Sequence, residues 1–237
     1  MLKLKALGPP LLAVLAAMAF AAPAQANEPA NFWSESEHID AQLGDEHGAH
    51  LFAANFGTVT CTKVSGTATL PNESGALESD VVSYETCHIV TFGITFPVTV
   101  TMNGCDYLFT AGTQVNPDLA EGSVHIADCD SGESITIDVY QAGTEANEHG
   151  SPAKRHCQIH VPEQTIGGLR YHNGKTEGVD GVTVELKGLE VEETVTDFNN
   201  AGCNNHLTDT FVYTGSFWAK GTDAEENYVD TTVTAEP

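Results

Sequence analysis

From Val90 to Met102 the even positions carry Val90, Phe92, Ile94, Phe96, Val98, Val100 and Met102, and threonine, glycine and proline take the odd ones. A period of two sustained over such a run predicts a strand with one buried face. Pro97 cannot donate to a ladder, so a bend, a bulge or an edge is expected there. Ile135, Ile137 and Val139 share a face further on, as do Val182, Val184 and Leu186. Beyond Gly188 the phase slips to Leu189 and Val191, which reads as a bulge. Near the end Phe211, Tyr213, Phe217 and Ala219 occupy the face expected to be buried. Helical periodicity is confined to a weak turn around Ser34 to Leu43. Short strands separated by Gly and Asn turns predict an all-β fold, an antiparallel β-sandwich of about nine to eleven strands.

Lys3 and Lys5, an apolar run from Leu11 to Ala22 and the small-x-small triplet Ala24-Gln25-Ala26 predict a signal peptide over residues 1–26. Residues 27–50 are acidic and His-rich and are expected to form a mobile leader. Residues 51–237 form the β-sandwich domain, with a possible split near 141–155. The mature chain would hold 237 − 26 = 211 residues and a net charge of 7 − 33 = −26. Such a surface repels phosphate backbones and anionic headgroups, which argues against nucleic acid and membrane insertion. The expected localisation is secreted and extracellular.

Six cysteines in an exported chain predict three disulfides, with 15 pairings open in principle. Cys105 and Cys129 lie symmetrically about Pro117. A hairpin centred there would place Tyr107 opposite Ala127 and Phe109 opposite His125, with the two cysteines within bonding reach. Cys61 and Cys87 repeat the arrangement with Val59 facing Ile89, which leaves Cys157 for Cys203.

The stretches "NGCDYLF", "SVHIADC", "CQIHVPEQTIGGLRYHN", "VTVELKGLEVEETV" and "YTGSFWAKGTD" resemble, in this order, a group of exported bacterial β-proteins with no assigned activity. The resemblance spans roughly Gly57 to Val233. It implies export, disulfides and β structure and carries no catalytic or binding residue.

Candidate chemistry is sparse. In "DCDSGES", Asp128, Asp130 and Glu133 gather carboxylates around Gly132 as a calcium loop would, although a β-turn explains the same residues. In the leader, His38, Asp40, Asp45, Glu46, His47 and His50 are ligand types for zinc or copper. A Gly-x-Ser-x-Gly elbow is absent, and no Ser, His and Asp set stands out. Trp218 lies on the even face of the last long strand, where an exposed indole could stack on a sugar or a protein; Val212 shares that face, and burial under a neighbouring sheet or loop explains it equally well. The threonines of the 91–101 run could order water, but threonine is an ordinary residue for a solvent-facing strand. The resulting expectation is a secreted, non-catalytic protein that binds an extracellular glycan, envelope component or protein. The alternative is a calcium- or zinc-dependent extracellular hydrolase.

Overall fold

The computed structural model describes residues 28–42, 48–70, 76–144, 149, 151–176, 178–198, 203 and 206–235. The expected signal peptide lies outside them. Fifteen strands form among the described residues. The first eight are β1 (Asn31–Ser34), β2 (His38–Gln42), β3 (His50–Ala54), β4 (Gly57–Thr69), β5 (Ala76–Thr91), β6 (Ile94–Thr101), β7 (Asp106–Asn116) and β8 (Leu119–Ala127). They are followed by β9 (Ile135–Tyr140), β10 (Arg155–Val161), β11 (Gln164–Thr176), β12 (Val179–Asp197), β13 (His206–Thr222), β14 (Tyr228–Val229) and β15 (Thr231–Thr234).

All pairings between these strands are antiparallel, and the architecture is sandwich-like, with two walls packed through an apolar interior. The walls also join at both edges. One circuit of hydrogen-bonded neighbours runs β4, β5, β7, β8, β11, β12, β13, β2 and back to β4. A second runs β4, β5, β6, β9, β10, β12, β13, β3 and back to β4. Four long strands, β4, β5, β12 and β13, therefore run the length of a closed barrel. The other positions in the wall are each shared by two shorter strands, one at either end. This sharing explains why there are more strands than the sequence suggests. Segments on both sides of 141–155 belong to the same closed ladder, through β8 with β11 and β9 with β10.

The inward residues are those the alternation marks: Ile135, Ile137 and Val139 on β9, and Val182, Val184 and Leu186 on β12. The bulge is present at Gly188, whose φ of 66° suits glycine. Two registers differ from expectation. The Val90–Met102 run is two strands, joined by a turn at Phe92-Gly93 that pairs Thr91 with Ile94. A two-residue turn reverses parity, so Val90 points out with Thr95 while Ile89 points in with Phe96. Periodicity within one run cannot reveal such a turn, because the spacing continues unbroken through it. Pro97 sits opposite His88, one residue short of the β6–β9 ladder. In the β7–β8 hairpin, Phe109 pairs with Val124 and Tyr107 with Ile126, one residue away from the symmetric register. The observed pairing puts apolar residues on one face. Bulges at Gly112 and Val115 then take up the difference before the turn.

The three disulfides are Cys61–Cys87, Cys105–Cys129 and Cys157–Cys203. The supposed leader builds part of the barrel. β2 and the start of β3 pair with β4, and Ile39 is buried. The expected turn around Ser34 to Leu43 is therefore largely the strand β2. β1 pairs with β15, and the resulting two-stranded sheet packs against β11, β12 and β13 at one end. There Phe32 meets the Tyr171 ring edge-on at 5.1 Å. The Asn173 side chain grips Val233 as a strand would, donating to its carbonyl at 2.7 Å and accepting from its N–H at 2.8 Å. The barrel interior retains a cavity of about 70 Å³, lined by Leu77, Val124, Ile137, Leu186, Phe211 and Phe217 among others.

Candidate functional site

Trp218 is not presented to solvent, in contrast to the reading of its strand face. It points outward from β13 but is 8% exposed. Gly174 and Gly181 lie opposite each other on β11 and β12, and the indole lies over this pair. A Cβ on Gly181 would come within 2.6 Å of the ring. Two facing glycines thus bury an outward tryptophan, and neither glycine signals this along its own strand.

Asp128, Asp130 and Glu133 are exposed. The Glu133 N–H donates to the Asp130 carbonyl at 2.7 Å, closing a β-turn in which Gly132 has φ 79°. His38 and Asp40 share one side of β2 and border a polar groove with Asp223 and Glu226, whereas His50 is buried in the interior. Asp45, Glu46 and His47 lie outside the described residues. Among the described residues, no three His, Cys, Asp or Glu side chains are grouped to hold a metal ion.

Inside the barrel, His50 heads a chain of buried hydroxyls. Its Nε2 lies 3.0 Å from the Ser216 carbonyl, which can only accept, so this nitrogen carries the proton. Nδ1 then accepts from the Tyr213 hydroxyl. Tyr84 donates to Tyr213 at 3.3 Å, and Tyr107 donates to Tyr84 at 3.2 Å. Burial raises the pKa of all three tyrosines and lowers that of His50 to about 4. Every member is neutral, as an apolar lumen requires. Gly215 makes the room, since a Cβ there would meet the imidazole at 2.7 Å.

Two features face outward. The first is the β5–β6 turn. Phe92 is 100% exposed, and Val90 and Ile94 beside it are also exposed. Both turn residues have positive φ, 51° at Phe92 and 76° at Gly93. The first position of such a turn favours Asn or Asp, and phenylalanine in this region is strained. Ladders to β4 and β6 hold the hairpin, and the Cys61–Cys87 bridge lies at its base. The threonine stripe is divided by the same turn, with Thr91 and Thr95 on opposite faces.

The second feature is a line of polar side chains on the outer face of β9 and β10. The Ser134 hydroxyl is 3.1 Å from His160 Nδ1, and His160 Nε2 is 3.1 Å from Gln158 Oε1. Gln158 donates to Asp138 at 2.9 Å, and Arg155 Nε sits 2.9 Å from the same carboxylate oxygen. Burial raises the Asp138 pKa, and the Arg155 charge opposes that shift without cancelling it. Sequence reasoning missed this group because its members are scattered over two strands. Only the register, with His160 opposite Thr136 and Gln158 opposite Asp138, assembles them.

Comparison with known protein families, curated proteins and solved structures finds no match. The functional reading therefore rests on this geometry.

Proposed function

We propose that this is an exported, extracellular binding protein that engages a protein partner through the apolar tip of the β5–β6 hairpin. One observation carries the reading. The chain holds 33 acidic residues, yet residues 86–105 contain no charged side chain, and this uncharged hairpin ends in a fully exposed Phe92. Leaving a phenylalanine in water forgoes about 1.5–3 kcal/mol of burial, and its left-handed backbone adds a further cost. An apolar pocket on a partner recovers the first of these. Along this segment the acidic surface also does not oppose an approaching protein.

The three disulfides support an oxidising compartment. The barrel exterior carries exposed ion pairs such as Lys63–Glu85 and Lys175–Asp180 around an apolar interior. That is the reverse of a lipid-spanning barrel, and it supports a water-facing exterior without membrane insertion. The net charge of −24 argues against a nucleic-acid partner.

Phe92→Asn tests the reading, because asparagine suits the turn and removes the aromatic contact. The variant should melt at or above the wild-type temperature. It should lose at least tenfold in affinity for protease-sensitive material from the exterior of the producing cells. Val81→Ser, at an exposed apolar residue near the other end of β5, should bind as wild type does. Equal binding by wild type and Phe92→Asn, or none by either, overturns the proposal.

A further inference from the structure

We propose that Ser134 is an acyl-accepting nucleophile, with His160 as its general base and Gln158 and Asp138 as positioning residues. This goes beyond the binding reading, does not depend on it, and departs from the expectation of a non-catalytic role. The argument is the direction of each hydrogen bond. Gln158 Nε2 donates to Asp138, so Gln158 Oε1 faces His160 and can only accept. His160 Nε2 must therefore carry the ring proton, and Nδ1 presents a lone pair to the Ser134 hydroxyl. The tautomer that satisfies this ladder is therefore also the one that can take a proton from serine. A nucleophile within hydrogen-bond reach of a base, with the base oriented by a third group, is the arrangement that activates a serine.

The supports are firm and the reacting end is open. Asp138 is buried and held by Arg155 and by the Tyr140 hydroxyl at 3.4 Å. The Ser134 carbonyl accepts from Asn103 Nδ2 at 2.8 Å, which fixes the backbone beneath the hydroxyl. Ser134 and His160 are themselves half-exposed, so a small reagent can reach them.

The substrate class is a small carboxylic ester, uncharged or cationic, since Glu133 and the acidic surface disfavour anions. Ser134 Oγ adds to the ester carbonyl carbon as His160 Nδ1 takes the hydroxyl proton. The bond to the alkoxy oxygen then breaks, and that proton leaves with the alcohol. Water attacks the acyl-serine in the same way, giving its proton to Nδ1, and the Ser134 oxygen recovers it as the acid departs. No oxidant or reductant is involved.

The test uses the full oxidised protein with a fluorophosphonate probe and, separately, p-nitrophenyl acetate. We expect one covalent phosphonyl adduct, mapped by mass spectrometry to Ser134. The labelling rate should rise as pH is raised, because only a neutral imidazole can take the serine proton. His160→Gln should slow labelling about 100-fold or more, the usual worth of a general base, and should flatten the pH profile. Gln158→Leu should displace the midpoint of that profile, which a purely structural role would not do. Folded wild-type protein that gives no adduct at Ser134 overturns the proposal, whatever the variants do. So does an adduct whose rate is indifferent to His160.

Discussion

Two buried ionisable residues, His50 and Glu193, give the barrel opposing responses to pH. Burial lowers the His50 pKa from 6.5 to about 4. The unfolded chain then binds a proton that the native state does not, so this contribution is complete above pH 6.5 and is lost as pH falls toward 4. Glu193 is 2% exposed and paired across the ladder with Asp209. Burial, then the Asp209 charge, raises its pKa from 4.5 to about 7. Its contribution is complete below pH 4.5 and is lost as pH rises toward 7. Each shift corresponds to about 3 kcal/mol over its window. Between pH 4.5 and 6.5 the two effects oppose each other. Relative to wild type, Glu193→Gln should gain about 2–3 kcal/mol of stability between pH 4.5 and 7. His50→Gln should lose least, relative to wild type, at the acid end. Urea unfolding at several pH values reads both slopes. Neither residue stands out in the sequence as a buried titrating group: His50 ends the acidic, His-rich segment expected to be a leader, and Glu193 is one acid among many. Burial is set by the strands that surround them.

At the scale of elements, what was legible was whatever one strand records by itself. The phase slip at Gly188 could be read because the apolar residues on both sides belong to β12. The Phe92-Gly93 turn could not, because a hairpin reversal leaves the spacing of apolar residues intact. Which side of the alternative holds for Trp218 is hidden for a related reason, since the glycines that admit it stand on β11 and β12. Gly181→Ala should therefore affect the tryptophan more than its own strand. The new methyl would lie 2.6 Å from the indole and 2.9 Å from the Ala219 carbonyl. We expect a loss of about 1–3 kcal/mol, the usual cost of overpacking. In a Trp33→Phe background, which leaves Trp218 as the single reporter, its fluorescence should shift to the red. The Ser134 line shows the same limit, because register between strands brings its members together.

For the whole molecule, closure removes the free edges of the long strands, and covalent bridges support it. Cys157–Cys203 encloses the longest loop, with a sequence separation of 46. Replacing both cysteines by serine should cost about 4 kcal/mol in the chain-entropy treatment, measured by denaturant unfolding of oxidised protein. Charge works against the compact state. With a formal net charge of −24, raising the salt from low ionic strength to about 0.5 M should raise the melting temperature, because screening acts on distant surface charges. At matched ionic strength, melting curves in calcium and in chelator should superimpose, since the exposed Asp128, Asp130 and Glu133 form a turn. By itself the sequence determined the β period, the inward faces of β9, β12 and β13, the bulge at Gly188 and the disulfide partners. These follow from alternation along one strand, from the near-symmetric placing of two cysteine pairs about their hairpins and, for Cys157–Cys203, from elimination. The tertiary structure decided the closure of the barrel, the incorporation of β1 and β2, the burial of Trp218 and His50, the exposed Phe92 tip and the Ser134–His160 line. Each of these depends on which strands become neighbours and in what register, and that is settled by packing the whole interior at once.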